Sequence, residues 1–579
     1  MHGGASNCLW LRLAAHTRPI WRFRPSLRRF HNHLSASSTP SPAMSPDTPP
    51  LTQIGCITLT EQESKIFDIL SKCAEHLHHQ QPPKDVTLRV AGGWVRDKLL
   101  GMESHDIDIA LDTMMGYDFA LQVNRYLAEN GFETHTLGKI DSNPEKSKHL
   151  ETATTKVMGN FIDFVNLRTE SYREDSRIPI VRFGTPLEDA QRRDITINAL
   201  FYNIQSKQVE DYTGQGLSDL RSGLVRTPLD PIQTFLDDPL RILRVIRFAS
   251  RFGYQIDTAI APAAANSDVR SAFGSKLSRE RIGTEVDKMM RGPDPLRSLQ
   301  LVCDFGYYSL VFMPPESVEP VLNGDTALSV AKALKRLLSN AQVLSRIVPE
   351  HALPLSEDDH RILYLCASMC PFADQTYTEK AREYPVSKYM AVVSLKLNVH
   401  DGDVCHALQG FQPLITKLCR DITPITDRKT IGQLIRNIAS KPLGAREVFK
   451  PLGPKWPLAL IYSLALEISQ LGDPADSAHL DNPEVSKTIG NYALFMQNVA
   501  RYDMEHLHDL KPLLDGKDIA RILCIRPGPQ VGEYLYRVME WQLEHPHGTK
   551  PECESWIKVE FAEVIEAAQS RPRKKPRRE

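Results

Sequence analysis

The chain has 579 residues, with 70 Lys and Arg against 71 Asp and Glu and a 41% hydrophobic share. That length exceeds one ordinary core and predicts three or four modules. The near-neutral charge and ordinary apolar share exclude a disordered chain and a uniformly basic nucleic-acid coat, so any RNA-binding charge has to be local.

In chain order, residues 1–46 carry Arg12, Arg18, Arg22, Arg24, Arg28 and Arg29, no acid, and interleaved Leu11, Leu13, Trp21, Phe23 and Phe30. This Arg-rich, acid-poor composition predicts a mitochondrial transit peptide, with a disordered basic tail as the alternative. A start at Met44 omits the leader and predicts a second, cytoplasmic form. A Ser/Pro linker and a helix with apolar spacing from Leu59 to His78 fill residues 47–84, ending at Pro82-Pro83. From Val86 to about Val225, short strand-like runs (TLRVAG, DIDIALD, FIDFVNLR, ALFYNI) alternate with helical stretches, which predicts an α+β or α/β domain. Beyond Asp237 the apolar spacing is helical, and the C-terminal half reads as all-helical. Its longest apolar stretches, such as Trp456 to Leu466, are broken well short of the roughly 20 residues of a bilayer span. A soluble mature protein with no membrane partner is expected. The ten cysteines are scattered, Cys366 and Cys370 lack the flanking ligands of a zinc knuckle, and all read as reduced thiols. The basic end, residues 571–579, reads equally as a nuclear address, an RNA-contacting tail or a solvated charge run.

The strongest local signal is GGWVRDKLLGMESHDIDIA, Gly92 to Ala110, after the strand-like LRVA. A strand running into Gly92-Gly93 and a helix lets backbone N–H groups approach a polyphosphate. Arg96 and Asp97 open that helix, with Arg96 as a phosphate ligand or the two as a structural pair supporting the loop, and Gly101 suits its C-terminal end. Period-two alternation puts Asp106 and Asp108 on one face, a site for Mg²⁺ shared with nucleotide phosphates. Asp163, in the alternating Phe161 to Val165 run, is the candidate third acid. Asp401-Gly402-Asp403 also spells D-x-D, lacks the preceding Gly-Gly turn, and reads as a loop.

This arrangement resembles the DNA polymerase β nucleotidyltransferase superfamily, and more closely its class II CCA-adding tRNA nucleotidyltransferases, eukaryotic or fungal in type. The likeness runs from about Leu88 to Met290. It includes RRDITINAL (Arg192 to Leu200), DYTGQGLSDLRSGLVRTP (Asp211 to Pro228), DDPLRILRVIRFASRFGY (Asp237 to Tyr254) and SRERIGTEVDKM (Ser278 to Met289). One departure is Asp237, where the family usually has Glu. The resemblance implies an α+β fold with a polymerase-β-type head containing a mixed sheet, followed by an all-helical neck, body and tail in a seahorse-like arrangement. It divides the chain into a catalytic head at 85–228, a neck for base recognition at 229–292, and a tRNA-binding body and tail at 293–570. It implies two Mg²⁺ ions, CTP and ATP as substrates, and tRNA as partner. Gly92, Gly93 and Arg96 are expected at the triphosphate, and Arg192, Arg193, Asp194 and Asn198 at ribose and phosphate. Asp238 and Arg241 are expected to read the base, with a mutual salt bridge as the alternative. Asp211 to Pro228 resembles a flexible element joining head to neck, or else is a plain hairpin. Arg279 and Glu285 are expected to be structural.

The implied reaction is attack of the tRNA 3′-hydroxyl on the α-phosphate of CTP twice and then of ATP. A poly(A) polymerase of the same superfamily and a noncatalytic RNA-binding module are the competing readings. A fused phosphohydrolase is rejected, because His400-Asp401 and His508-Asp509 lack a matching upstream partner. The oligomeric state is not legible.

Overall fold

The computed structural model describes residues 57–140, 152–173, 176–440 and 449–569. The predicted leader with Met44 and the basic tail lie outside the described residues. Two compact units emerge, one closing at Glu285 and the other beginning at Val286.

In the first unit, Thr60 and Glu63 form a capping box that starts helix α1 (Glu61–His78), and Ile66, Leu70 and Leu77 on its inner face are fully buried. Next come β1 (Leu88–Ala91), α2 (Gly93–Leu99), β2 (Ile107–Leu111) and α3 (Gly116–Glu129). They are followed by β3 (Gly138–Ile140), β4 (Thr152–Val157) and β5 (Asn160–Asn166). With β8 (Phe201–Asn203) and β9 (Gln208–Glu210), these strands make a seven-stranded sheet ordered β3-β4-β5-β2-β1-β8-β9. The β2–β5 pair is parallel and the others are antiparallel, giving the expected mixed sheet. β6 (Arg168–Arg173) and β7 (Ser176–Phe183) form a separate antiparallel pair.

Helix α4 (Pro186–Gln191) and a 3₁₀ turn at Thr196–Asn198 lie between the β6–β7 pair and β8. The Asp211 to Pro228 segment folds into α5 (Gly216–Ser222) and β10 (Leu224–Val225). Gly216 is required for close approach, since a Cβ there would stand 2.8 Å from both Leu200 Cδ2 and Thr196 O. The neck region supplies α6 (Pro231–Asp237), α7 (Leu240–Phe252), β11 (Gln255–Ile256), α8 (Ile260–Ala265), α9 (Ser267–Lys276) and α10 (Arg279–Met290). The short parallel β10–β11 pair adds a strand contact to a region read as helical.

The unit beginning at Val286 is dominated by helices. Leu363, Ile415, Tyr462 and Phe495 are among its fully buried residues, and a second cluster near the C-terminus contains Leu514, Leu523, Val538 and Ile557. The structure adds a hairpin, Thr376–Glu379 with Arg382–Pro385, to the expected helices. Its turn residues Lys380 and Ala381 both have positive φ, and Tyr377 faces Tyr384 with ring centres 5.6 Å apart. Asp401-Gly402-Asp403 corrects the loop reading. It lies in the first turns of helix Val399–Arg420, where the Asn398 side chain accepts the Asp401 N–H at 2.7 Å. Among the described residues, no helix is long and apolar enough to cross a membrane.

Candidate active site

A cleft of about 760 Å³ opens in the first unit, lined by nine arginines and five acids. The β2 alternation buries Ile107 and Ile109 and turns Asp108 outward, while Asp106 just before the strand is also exposed and lines the cleft. Parallel pairing sets Asp163 of β5 directly opposite Asp108. Desolvation inside the concavity pushes the Asp108 carboxyl up to about 6; the Asp163 and Asp106 charges reinforce this and Arg193 opposes it. The side chain is open to water, yet the cleft walls displace much of the bulk solvent around it.

The turn beside these acids depends on Gly92, whose φ of 76° favours glycine and whose added Cβ would stand 2.8 Å from Arg193 Nη1. Its own N–H donates to Leu200 O at 3.0 Å, so the amides left for an anion are those of the first turn of α2, beginning at Gly93. Arg96 is buried. Its Nε donates to Asp97 Oδ1 at 2.8 Å, its Nη1 donates to Asn198 Oδ1, and its guanidinium lies 5.2 and 4.8 Å from the Phe248 and Phe252 ring centres. These contacts support the structural alternative for Arg96.

Arg192, Arg193, Asp194 and Asn198 come together through carboxylates. Asp189 of α4 accepts from Arg192 Nε at 2.9 Å and from Arg193 Nη2 at 2.8 Å. Its burial favours the neutral form, but the two guanidinium groups outweigh this and hold its carboxyl below the usual range. Arg193 Nη1 also donates to Asn198 O at 3.1 Å. Asp194 is buried too. It accepts from Asn198 Nδ2 at 3.1 Å and from Arg244 Nε at 2.8 Å; burial works against the charge, and Arg244 and Asn198 outweigh it to keep the carboxyl low. Asn198 reaches Asp194 from the 3₁₀ turn rather than from an α-helix.

Helix α7 buries Ile242, Leu243, Val245 and Ile246 completely. Its arginines at 241, 244, 247 and 251 recur at helical spacing and all line the cleft. Arg247 donates to Glu285 Oε2 at 2.6 Å and stacks 4.1 Å from the Phe248 ring centre. Asp238 and Arg241 both line the cleft, and the backbone N–H of Arg241 donates to Asp238 O at 3.0 Å, but their side chains take other partners. Arg281 of α10 grips Asp238 at both carboxylate oxygens, at 3.1 and 2.6 Å, while the Arg241 guanidinium donates to Thr234 O at 3.3 Å and Arg192 O at 2.6 Å. The expected sites thus meet in one cleft, apart from Asp163, which adjoins it through Asp108. The sequence reading missed Asp189, Arg244, Arg247, Arg251 and Arg281. The Asp189 spacing to Arg192 and Arg193, and the repeat of arginines along α7, were the available signals. Neither His400-Asp401 nor His508-Asp509 belongs to a convergent metal-ligand group among the described residues.

Residues 88–226 match the Poly A polymerase head domain family. The mitochondrial CCA tRNA nucleotidyltransferase of Candida glabrata is 36% identical over 539 residues, covering 88% of this chain and 97% of that protein. The mitochondrial CCA tRNA nucleotidyltransferase of Saccharomyces cerevisiae is 36% identical over 535 residues, covering 87% of this chain and 94% of that one. A solved CCA-adding enzyme in an apo form shares the fold at a TM-score of 0.57 and 18% identity, over 87% of this chain and 97% of the other. With likeness at this level spanning nearly the full length of these fungal relatives, the chain belongs to the CCA tRNA nucleotidyltransferase family.

Proposed function

We propose that the cleft of the first unit is the nucleotidyl-transfer centre through which the chain adds CCA to tRNA 3′ ends from CTP and ATP. The observation that carries this reading is the meeting of an acid group on β2 and β5 with an arginine wall on α7 and the Arg192-Arg193 turn. The all-oxygen donor set of Asp106, Asp108 and Asp163 suits Mg²⁺ and would hold it. When bound, two such ions supply activation of the 3′-hydroxyl and neutralisation of phosphate charge.

The chain's own residues bind and orient. The N-terminus of α2 after Gly92 receives the triphosphate, and Arg193, with one face toward the cleft, offsets its charge. Asp194 and Asn198, each with polar capacity beyond the contacts above, meet the ribose. Asp238, fixed by Arg281, accepts from the amino group of cytosine or adenine, and Arg241 donates to the adjacent ring nitrogen. Guanine and uracil would oppose acceptor to acceptor and donor to donor on that edge. In the reaction the 3′-oxygen bonds to the α-phosphorus as the bond to pyrophosphate breaks, and no protein nucleophile takes part.

The proposed division of labour is a catalytic head at 85–228, a base-reading neck at 229–292 and a tRNA-gripping body and tail at 293–570. The compartment is the mitochondrion, in keeping with the names of the two yeast relatives and the Arg-rich, acid-free leader. A start at Met44 would supply a cytoplasmic form, and the basic end a nuclear one. To test the reaction, purified protein is incubated with tRNA lacking its last three nucleotides and with each NTP separately, then with CTP and ATP together, and product ends are sequenced. Two cytidines from CTP alone and a single adenosine only after them are expected. Long adenosine tails from ATP alone would identify a poly(A) polymerase, and unextended tRNA a binding module.

A further inference from the structure

Away from the cleft, in the unit beginning at Val286, two imidazoles and a carboxylate converge. His351 sits on the 3₁₀ turn Glu350–Ala352, and Glu505 and His506 lie between helix Pro483–Arg501 and the 3₁₀ turn Leu507–Asp509. One ligand atom from each of the three lies within 4.8 Å of the others. The His351 and His506 ring centres are 4.4 Å apart, and His351 Nδ1 is 3.4 Å from a Glu505 carboxylate oxygen.

Both chain segments are held in place by other contacts. Asp503, with a φ of 53°, turns the chain back after the helix, and Met504 and Leu507 on either side of the pair are buried. The indole of the fully buried Trp456 donates to Glu505 O at 3.3 Å, and Arg436 donates to Leu507 O at 3.0 Å and Leu510 O at 2.7 Å. His351 follows Val348, also buried. The donor groups therefore stand on fixed backbone, and the remaining adjustment belongs to side chains that are half-buried at Glu505 and exposed at the two histidines.

We propose that His351, Glu505 and His506 form a binding site for a zinc-class divalent ion, distinct from the Mg²⁺ expected at the cleft. Two imidazoles and one carboxylate, with a position left for water, are a donor set that zinc takes readily and that Mg²⁺, which prefers oxygen, does not. Ligands about 2.1 Å from a tetrahedral centre are about 3.4 Å from one another. The His351–Glu505 pair already meets that spacing, and small side-chain rotations bring in His506. The ion ties together two segments more than a hundred residues apart in sequence and stabilises the folded unit by binding it in preference to the unfolded chain.

The test uses tag-free, chelator-stripped full-length protein carrying Asp106→Asn and Asp108→Asn, which removes two of the three acids expected to hold metal at the cleft. Zinc is titrated by calorimetry and counted by elemental analysis, with Mg²⁺ in excess throughout. One zinc per chain is expected, with a zinc-dependent rise in Tm. His351→Gln, Glu505→Gln and His506→Gln, each in that background, should weaken binding at least tenfold and abolish the Tm rise. Co²⁺ added to the chain with all three ligands intact should give the intense visible absorption of a four-coordinate ion, a readout that does not depend on any ligand variant folding. Absence of stoichiometric zinc, equal affinity in the three ligand variants, or the weak spectrum of six-coordinate Co²⁺ would each overturn the site.

Discussion

Among the described residues, the unit closing at Glu285 buries nine Asp, Glu, Lys or Arg side chains, and the unit beginning at Val286 buries four. Several of the first group, including Arg96, Asp189, Asp194, Arg241 and Glu285, hold or line the cleft. In the second group, Arg361 of helix Glu357–Ser368 donates to both oxygens of Asp401, at 3.1 and 2.6 Å, and so joins two helices. Buried charge is costly unless it is paired with good geometry. Where it fixes arginines around the proposed substrate cleft, it would serve chemistry; where it links helices inside an apolar core, it serves packing. Equal structural damage in the two units should therefore have unequal functional effects.

The acids that lie outside this buried network set the largest contrast. Asp106→Ala and Asp108→Ala remove exposed groups, so the fold and tRNA affinity should be nearly unchanged. Nucleotide addition should fall by about 10³ or more, because metal-assisted stabilisation is worth several kcal/mol and about 1.4 kcal/mol is a factor of ten. Single-turnover incorporation beside urea unfolding separates the two effects. Wild-type rates in either variant would remove these acids from the site.

Asp189→Ala and Asp401→Ala compare the units directly. Each breaks a buried pair, and each should lower unfolding free energy by about 3–5 kcal/mol. Asp189→Ala also removes the carboxylate that Arg192 and Arg193 share, so its KM for CTP should rise and its kcat fall even when only folded protein is counted. Asp401→Ala should keep both constants at their original values at a temperature where it is folded. If both variants, or neither, altered the kinetics, the proposed contrast would fail.

A finer effect concerns base choice. Asp238→Ala and Arg241→Ala should erode the preference for CTP and ATP over UTP and GTP by about 10- to 100-fold, the scale of one or two hydrogen bonds to a charged group. Arg281→Ala leaves both proposed base-reading groups present but releases Asp238, so its effect should have the same sign and be smaller. Incorporation rates for all four NTPs give the ratios. Variants that are slower with unchanged ratios would show that these residues do not read the base.

This contrast also explains what was legible in the sequence. Asp106 and Asp108 announced themselves because strand alternation is local, and Gly92 because a positive φ before a helix leaves a short signature. The arginine repeat along α7 was local as well and was passed over in favour of Asp238 and Arg241. Arg281 could not be assigned this way, since it meets Asp238 across 43 positions of sequence and no periodicity relates them. In the second unit, apolar helices satisfy their own backbone and need no particular residue at most positions, so they left no motif. The Asp401 error had a local remedy, because Asn398 three residues earlier is a helix-capping signal. The hairpin at Thr376–Pro385 was hidden because its turn is Lys380-Ala381 rather than the usual Asn-Gly.

The smallest predicted effect tests whether a polar group buried in the second unit acts on stability alone. His406 lies on helix Val399–Arg420, with its Nδ1 buried and unpaired and its ring 4.9 Å from that of Phe449. Burial, reinforced by the Lys388 charge and opposed by Asp403, pushes its pKa down to about 4. An unfolded histidine titrates near about 6.5. Above that pH both states are neutral at this site, and His406 contributes no pH dependence. As pH falls from about 6.5 to about 4, the unfolded chain takes up a proton that the folded one refuses, so stability falls with falling pH, by at most about 1.4 kcal/mol per unit. The ring is partly open to solvent, and a loss of about 1 kcal/mol between pH 7 and pH 5 is the expected share. His406→Gln removes the titration and should flatten the stability profile by that amount, as read from urea unfolding at the two pH values. The ratio of variant to parent nucleotide incorporation should stay constant over the same range. A parent and variant with parallel stability profiles would show that His406 titrates alike in both states, and a pH-dependent incorporation ratio would show that the effect of this histidine is not confined to stability.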